Sequence, residues 1–276
     1  MKAAAFDYAR PDTIAAACAL LAADPDAKVM AGGQSLGPML NLRLAQPSCL
    51  VDITRIRDLG RIEESDDAVV LGAVVTHAAI EDGRIADPSR GFLPRVARGI
   101  AYRAVRTRGT VGGSLAHADP AADWLSTLTA LGAEILISGP HGARRHLPVG
   151  DFVRGAMSTA LEPGEIVDGV RIPRLSAAAR CGFHKICRKT GEFAEGMGVA
   201  VHDPERGVCR IVAGAGGGRP AVIEASRGAG SRLLARLVDA EAVREALIEA
   251  GVAGDEYRMR VHVAAVRRAV AEVVSP

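Results

Sequence analysis

The chain has few aromatic residues and almost no excess of positive charge. Aromatic residues make up 3% of its 276 residues, with a single tryptophan, and the formal net charge is +2. Lysine and arginine are scattered among aspartate and glutamate, so no basic stripe is available to follow a phosphate backbone. The shortage of aromatic side chains also argues against a surface that stacks on bases. Nucleic acid is therefore not an expected partner.

The chain also lacks a long apolar run. No apolar segment approaches the roughly 20 residues that a membrane-spanning helix needs. The first eight residues, Met1–Tyr8, already include an acid at Asp7, so the uninterrupted apolar segment of a signal peptide is missing. We therefore expect a cytoplasmic protein without a membrane span.

The cysteines are too few and too widely spaced for a metal cluster. No Cys-x-x-Cys pair occurs, which argues against a zinc ribbon or an iron–sulfur site in this chain. In a reducing compartment disulfides are not expected either. We interpret the five cysteines as small buried apolar residues and predict no metal site here: Cys18, Cys49, Cys181, Cys187 and Cys209.

Enough apolar material is present for a sizeable core, since 49% of the residues are hydrophobic. A chain of this length and composition accommodates two packed units. Apolar spacing predicts helices over about 12–23, with Asp12 as the cap, 120–131, 239–250 and 255–273. Strands are predicted at 28–31, 49–53, 68–74, 134–138, 144–148, 165–172, 181–187, 196–202 and 207–213. This mixture is typical of an α+β or α/β protein.

The pattern changes near Pro173–Ala179, where we place a domain boundary. The expected domains are residues 1–176, with subdomains of about 1–55 and 56–176, and residues 177–276.

Two diglycine segments are the most informative local features. The first is Ala31-Gly32-Gly33-Gln34-Ser35-Leu36, and the second is Thr110-Val111-Gly112-Gly113-Ser114. Adjacent glycines allow positive φ and remove side chains, so successive backbone N–H groups can approach an anion. The first segment also leads into a predicted helix, whose first N–H groups favour anions. Two such segments could hold a diphosphate from both sides, although either one alone is also compatible with an ordinary turn.

A third glycine-rich stretch, Gly214–Gly218, follows a strand and precedes no helix. We interpret it as a turn. Neither diglycine segment matches the dinucleotide-binding or P-loop patterns.

The residues after the second diglycine segment predict a helix aimed at it. His117-Ala118-Asp119-Pro120 is followed by Ala121-Ala122-Asp123, and Asp-Pro is typical of a helix start. Asp123 is then expected one turn into the helix, where a carboxylate can accept hydrogen bonds from sugar or ribityl hydroxyls. The alternative is that Asp123 only complements the helix dipole.

Taken together, these motifs resemble the FAD-binding medium subunits of molybdenum hydroxylases, a family that includes the flavin-binding parts of carbon monoxide and xanthine dehydrogenases. The resemblance rests on both diglycine segments and the His-Ala-Asp-Pro-Ala-Ala-Asp continuation. It extends through Phe6–Pro11, Leu50–Ile53 and Leu161–Ile166, and ends near Tyr257-Arg258. It implies a two-subdomain FAD-binding fold of the vanillyl-alcohol-oxidase (PCMH) type, followed by a smaller C-terminal α+β domain.

The resemblance also implies a set of cofactor-binding residues. Carried over by position, the residues around the pyrophosphate are Ala31, Gly32, Gly33, Gln34, Ser35 and Leu36 together with Thr110, Gly112, Gly113 and Ser114. Asp123 is expected to bind the ribityl or ribose hydroxyls, and Leu161 to offer backbone contacts near the isoalloxazine. Lys185 is expected to reach the polar edge of the flavin, although by itself it is compatible with a solvated strand residue. His117 is expected to help shape the second segment.

One departure from the family pattern concerns the segment after Arg188. Glu192 and Phe193 stand where relatives carry aspartate and tyrosine. Phe193 can still stack on the flavin, but it has no hydroxyl group to donate a hydrogen bond.

The implied function is an electron-transfer subunit of a larger oxidoreductase. Electrons would come from [2Fe–2S] clusters on a small subunit, which receives them from a molybdenum cofactor on a large subunit. They would leave to NAD, a quinone or oxygen, and the expected assembly is a dimer of heterotrimers, a heterohexamer. Since the cofactor supplies the chemistry, we nominate no catalytic acid or base. The alternatives are a stand-alone FAD-dependent oxidoreductase of the same fold and a cofactor-free assembly subunit.

Overall fold

The computed structural model describes residues 2–275, and its N-terminal part is a small parallel sheet. The strands are β1 (Asp7–Ala9), β2 (Lys28–Met30) and β3 (Cys49–Asp52), in the order β1-β3-β2. Two helices connect them, α1 (Ile14–Ala23) and α2 (Leu36–Asn41). Parallel neighbours require such crossovers, because a tight hairpin joins only antiparallel strands. The first diglycine segment therefore lies where β2 passes into α2.

The middle of the chain builds an antiparallel sheet. Its strands are β4 (Ile62–Glu64), β5 (Ala68–Gly72), β6 (Glu134–Ser138), β7 (Arg144–Pro148), β8 (Val153–Gly155), β9 (Ser158–Thr159) and β10 (Ile166–Pro173). Five of them form one sheet in the order β4-β5-β10-β6-β7, while β8 and β9 form a separate pair. The longest strand of this sheet, β10, lies at its centre, and six of its eight residues are buried. A central strand covered on both faces is expected to be mostly apolar, and Asp168 is the only charged residue among the buried residues of β10.

Six helices and two short 3₁₀ segments accompany this sheet. The helices are α3 (His77–Glu81), α4 (Phe92–Arg98), α5 (Arg103–Arg106), α6 (Val111–His117), α7 (Asp123–Leu131) and α8 (Val149–Phe152), and the 3₁₀ segments are Arg57–Gly60 and Pro140–Gly142. Every residue of α7 is buried. The helix ends at Gly132, whose φ of 70° is the left-handed conformation that glycine adopts most readily.

The C-terminal part is an antiparallel sheet with three helices. The strands β11 (Arg180–Ile186), β12 (Gly196–Asp203), β13 (Val208–Gly214) and β14 (Ala221–Glu224) lie side by side in sequence order. The helices are α9 (Gly230–Arg236), α10 (Ala240–Glu249) and α11 (Glu256–Val274).

Both faces of this C-terminal sheet are covered. Val199 and Val201 of β12 belong to the same apolar core as Trp124 of α7, whereas Ala200 between them belongs to a second core with α11. This alternation follows from the period of two in a strand. The backbones of β12 and α11 approach so closely that a Cβ on Gly198 would lie 2.6 Å from the carbonyl carbon of Ala265. The sheet is therefore sandwiched between α7 and α11.

Most predicted elements are confirmed, with differences at helix starts. The cap of α1 is Thr13, whose Oγ1 accepts a hydrogen bond from Ala16 N at 3.1 Å, and not Asp12. Helix α7 begins at Asp123 because Asp119 instead accepts a hydrogen bond from Ala121 N and holds a turn ahead of the helix. Asp123 is thus the first helical residue and does not lie one turn in. The stretch Gly214–Gly218 joins β13 to β14 as a turn, as predicted.

The α+β class is confirmed, and the cysteines are all unbridged. Cys18 and Cys209 are buried as expected, whereas the other three cysteines are half-buried. None of the helices described over residues 2–275 is long and apolar enough to cross a lipid bilayer.

Candidate functional site

The first diglycine segment holds a row of backbone donors that have no acceptor within the protein. In the part of the chain that the structure describes, the N–H groups of Gly32, Gly33, Gln34 and Ser35 have no hydrogen-bond acceptor. Gly33 has a φ of +71°, which favours glycine, and its carbonyl accepts a hydrogen bond from Gly37 N at 2.9 Å. Gln34 and Ser35 are exposed. Adjacent backbone donors without acceptors can bind an anion.

The second diglycine segment is helical, which differs from the expectation that both segments offer free backbone N–H groups to an anion. Gly112 and Gly113 lie inside α6, and Thr110 caps this helix by accepting a hydrogen bond from Gly113 N at 3.0 Å. Gly112 N donates to the carbonyl of Ala73 at 3.0 Å. A Cβ on Gly112 would lie 2.5 Å from the Cβ of Ala73. Close packing therefore explains this glycine, and both glycine N–H groups are already used.

The structure brings the two segments into direct contact. A Cβ on Gly32 would overlap the carbonyl oxygen of Arg108 and would lie 2.9 Å from the Cα of Gly109. On the other side, a Cβ on Gly113 would lie 3.8 Å from the Cβ of Ala31. The two motifs are almost 80 positions apart in the chain. Because both contacts join backbone to backbone or to methyl groups, the segments form one continuous surface.

The buried His77 packs against this surface at Gly109. A Cβ on Gly109 would lie 2.8 Å from the His77 ring, and His77 N donates to the Gly109 carbonyl at 2.9 Å. Trp124 Nε1 donates to His77 Nδ1 at 3.0 Å, so Nδ1 carries no proton. Burial, aided by the nearby Arg106 charge, lowers the pKa of His77 to about 4. His77 is thus a neutral support between the chain's single tryptophan and the glycine surface.

Asp123 and Lys185 form a buried ion pair beside this support. Lys185 Nζ lies 3.0 and 3.1 Å from the two carboxylate oxygens of Asp123. The two side chains are only 9% and 7% exposed. Burial raises the pKa of the Asp123 carboxyl, against the opposing effect of the Lys185 ammonium group. The pair joins the start of α7 to β11, and its two members were predicted as separate contacts of the cofactor.

The remaining predicted site residues lie in different surroundings. Leu36 is the first residue of α2, and His117 is the half-buried last residue of α6. Leu161 is half-buried after β9, where its N–H lies 3.3 Å from Thr159 Oγ1. Phe193 lies in the connection from β11 to β12 and is 69% exposed. The structure therefore joins the glycine segments closely and leaves Phe193 without an enclosing pocket.

Sequence reasoning missed the ion pair between Arg106 and Glu81. Arg106 Nε lies 2.7 Å from Glu81 Oε2, and both side chains are nearly buried. The same guanidinium donates to the carbonyls of Ile100 and Ala101 at 2.8 and 2.9 Å. Ala101 has a φ of 41°, a conformation that needs such external support. The Arg-Thr-Arg-Gly run before the second glycine segment was the available signal for this arrangement.

Comparisons with known proteins agree on one family. A family model described as "FAD binding domain in molybdopterin dehydrogenase" matches residues 4–175. The carbon monoxide dehydrogenase medium chain of Hydrogenophaga pseudoflava is 35% identical over 243 residues, which cover 87% of this chain and 84% of the relative. The nicotine 6-hydroxylase medium subunit of Paenarthrobacter nicotinovorans is 39% identical over 193 residues, covering 70% and 67%.

A solved structure extends the match over almost the whole chain. The structure of reconstituted CO dehydrogenase from Oligotropha carboxidovorans contains a chain with a TM-score of 0.85 and 32% identity to this one. The alignment covers 99% of both chains. The likeness thus includes the C-terminal sheet and helices beyond the family model.

Proposed function

Because the chain belongs to the family of FAD-binding medium subunits of molybdenum hydroxylases, we propose that it carries one FAD as the electron-transfer subunit of such an enzyme. Membership makes the chain part of an oxidoreductase, with the FAD-binding fold predicted from its sequence.

The observation that carries the proposal is the row of unpartnered N–H groups at Gly32–Ser35. A diphosphate is an anion that accepts several hydrogen bonds, and successive backbone donors bind such groups without a side chain. The contacts of Gly32 with Arg108 and Gly109 leave no room for a side chain and hold this row against the second glycine segment. The donor set and its rigidity therefore fit the diphosphate of FAD.

The second segment has a different part in this proposal. The N–H groups of Gly112 and Gly113 are already used, so we assign to α6 the positioning of the first segment. We also assign to it a contact from Ser114, which is half-buried and whose hydroxyl group makes no hydrogen bond within residues 2–275. Thr110 keeps α6 capped, and His117 ends it.

The remaining proposed contacts follow the family pattern. We propose that Asp123 and Lys185 are held by each other in the orientation that the ribityl chain and the polar edge of the flavin require. Leu161 supplies backbone contacts, and Phe193 a ring that stacks on the flavin. A bound flavin accepts electrons singly or in pairs, and the protein binds, orients and tunes it.

We retain a domain boundary near residue 176, between the end of β10 and the start of β11.

The partners are proposed from the names of the relatives, which are medium subunits and subunits of dehydrogenase complexes. We propose that this chain receives electrons from [2Fe–2S] clusters on a small subunit and that a large subunit holds the molybdenum cofactor. The chain would deliver the electrons to NAD, a quinone or oxygen. The proposed assembly is a dimer of heterotrimers.

The test is to purify the chain alone and with its co-expressed companion chains. We expect a yellow protein that releases FAD on denaturation, and co-purification of chains that contain iron and molybdenum. A colourless chain that binds no added FAD would contradict cofactor binding and favour an assembly subunit. Turnover of an organic substrate by the isolated yellow chain would instead favour a stand-alone oxidoreductase.

A further inference from the structure

Three arginines precede the second glycine segment, and one of them has no acidic partner. Arg103 pairs with Glu81 and Asp82, and Arg106 pairs with Glu81. Arg108 is exposed, and over residues 2–275 no carboxylate lies within ion-pair distance of its guanidinium. The charge of Arg108 is therefore available to a ligand.

Arg108 lies directly beside the first glycine segment. Its carbonyl carbon would be 2.6 Å from a Cβ on Gly32. Standard covalent geometry then places the Cα atoms of the two residues within about 6 Å of each other. An arginine has three methylene groups ahead of its guanidinium, so the charged group can extend over a ligand held by a loop this close.

The first segment has no charge of its own. Residues 31–42 contain no lysine, arginine, aspartate or glutamate. A diphosphate bound there would meet backbone dipoles and uncharged side chains, and no positive charge from this segment. Guanidinium groups bind phosphate oxygens through parallel N–H donors, and such charge-assisted contacts are among the stronger hydrogen bonds.

We propose that Arg108 is a further anion-binding residue of this site, and that its guanidinium contacts the diphosphate held by the N–H groups of Gly32–Ser35. This inference rests on the proposed function, because it takes the first segment as the diphosphate site. It assigns to Arg108 a role that the predicted set of cofactor-binding residues lacks.

The experiment compares three probes on the full-length apo chain. FAD carries flavin and diphosphate, ADP carries the diphosphate without flavin, and riboflavin carries flavin without phosphate. Binding of each is measured by calorimetry at several salt concentrations for the wild type, Arg108→Gln, Arg108→Lys and Arg232→Gln. Arg232 is a matched control, since it is exposed on α9 and has no ion pair in the described structure.

We expect Arg108→Gln to weaken FAD and ADP by about 10- to 100-fold and to lessen the salt dependence of both. The affinity of Arg108→Lys for FAD and ADP should lie between those of the wild type and Arg108→Gln, because lysine keeps the charge and loses the parallel donors. Riboflavin binding and the melting temperature should stay unchanged, and Arg232→Gln should match the wild type throughout.

Wild-type affinity of Arg108→Gln for FAD and ADP would overturn this inference and leave the proposed function intact. An equal loss for riboflavin would also overturn it, because the effect would then be structural. If the wild type binds neither FAD nor ADP, the proposed function fails, and the inference fails with it.

Discussion

Lys185 donates two hydrogen bonds to Asp123, at 3.0 and 3.1 Å, although the two residues are 62 positions apart. Asp123 opens the buried helix α7, and Lys185 lies on β11 of the C-terminal sheet. Lys185 Nζ also lies 3.5 Å from the carbonyl of Gly99. Two charges withdrawn from water in this way depend on each other, because either one alone would be buried without a partner.

Removal of both members of this pair should cost less than the sum of the two single removals. We expect Asp123→Asn or Lys185→Met to lower the free energy of unfolding by about 3–5 kcal/mol, and the double variant to lose less than the sum of the two. Urea unfolding of the four proteins measures this coupling. Strict additivity would show that the two charges do not interact.

An exposed ion pair provides the control for that cycle. Arg154 and Glu162 lie 3.4 Å apart with side chains 60% and 61% exposed. Glu162→Gln should change the free energy of unfolding by less than about 1 kcal/mol, since solvent screens such pairs.

A negative charge placed in the first glycine segment should prevent diphosphate binding. Ser35 is exposed, and its side chain makes no capping hydrogen bond at the start of α2. Aspartate and asparagine have nearly the same shape and are both accepted at helix starts. We expect Ser35→Asp to weaken FAD binding by about 100-fold through repulsion, and Ser35→Asn to stay close to the wild type. Titration of the apo chain with FAD measures both affinities. Equal affinities of Ser35→Asp and Ser35→Asn for FAD would show that the diphosphate does not bind at this segment.

The contact of Gly32 with Arg108 should make that glycine irreplaceable. Gly32→Ala places a methyl group on the Arg108 carbonyl, so the two segments must separate, at a cost of about 1–3 kcal/mol and with loss of FAD. Gly37 is the control, because a Cβ there meets nothing within 4 Å. Gly37→Ala should be neutral or stabilising by up to about 1 kcal/mol. Thermal unfolding and FAD content of the purified variants are the measurements, and equal behaviour of the two would contradict the contact.

The buried His77 should make the protein sensitive to acid. The pKa of His77 is lowered from 6.5 to about 4 in the folded protein, so between these values the unfolded chain binds more protons than the folded one. The free energy of unfolding must therefore fall as the pH drops from 6.5 towards 4, by up to about 3 kcal/mol from this group.

The variant His77→Gln separates this effect from other titrating groups. Urea unfolding at pH 7 and pH 4 should show a smaller pH dependence for His77→Gln than for the wild type. His146, whose side chain is 67% exposed, is the control, and His146→Gln should keep the wild-type dependence. An unchanged dependence in His77→Gln would show that the ring is not held neutral by burial.

Local sequence patterns were sufficient to predict the kinds of secondary structure and to identify the motifs. Periodicity predicted α1, α7 and α11 and most long strands, because the spacing of apolar residues along the chain reveals the apolar face of a helix or strand. The two diglycine segments and their flanking residues also pointed to one family. Such signals are local, since each depends on residues that are neighbours in the chain.

The role of each glycine, in contrast, depends on the three-dimensional packing around it. Adjacent glycines indicate that the backbone can adopt conformations closed to other residues. At Gly33 this freedom allows a positive φ, and at Gly112 it allows close packing against Ala73. Which of the two applies depends on residues that are distant in the chain. In the same way, Asp123 could not be assigned Lys185 as its partner, nor His77 its Trp124. Those pairings arise when β11 and α3 are brought against α7, and no local pattern encodes which buried polar groups will meet.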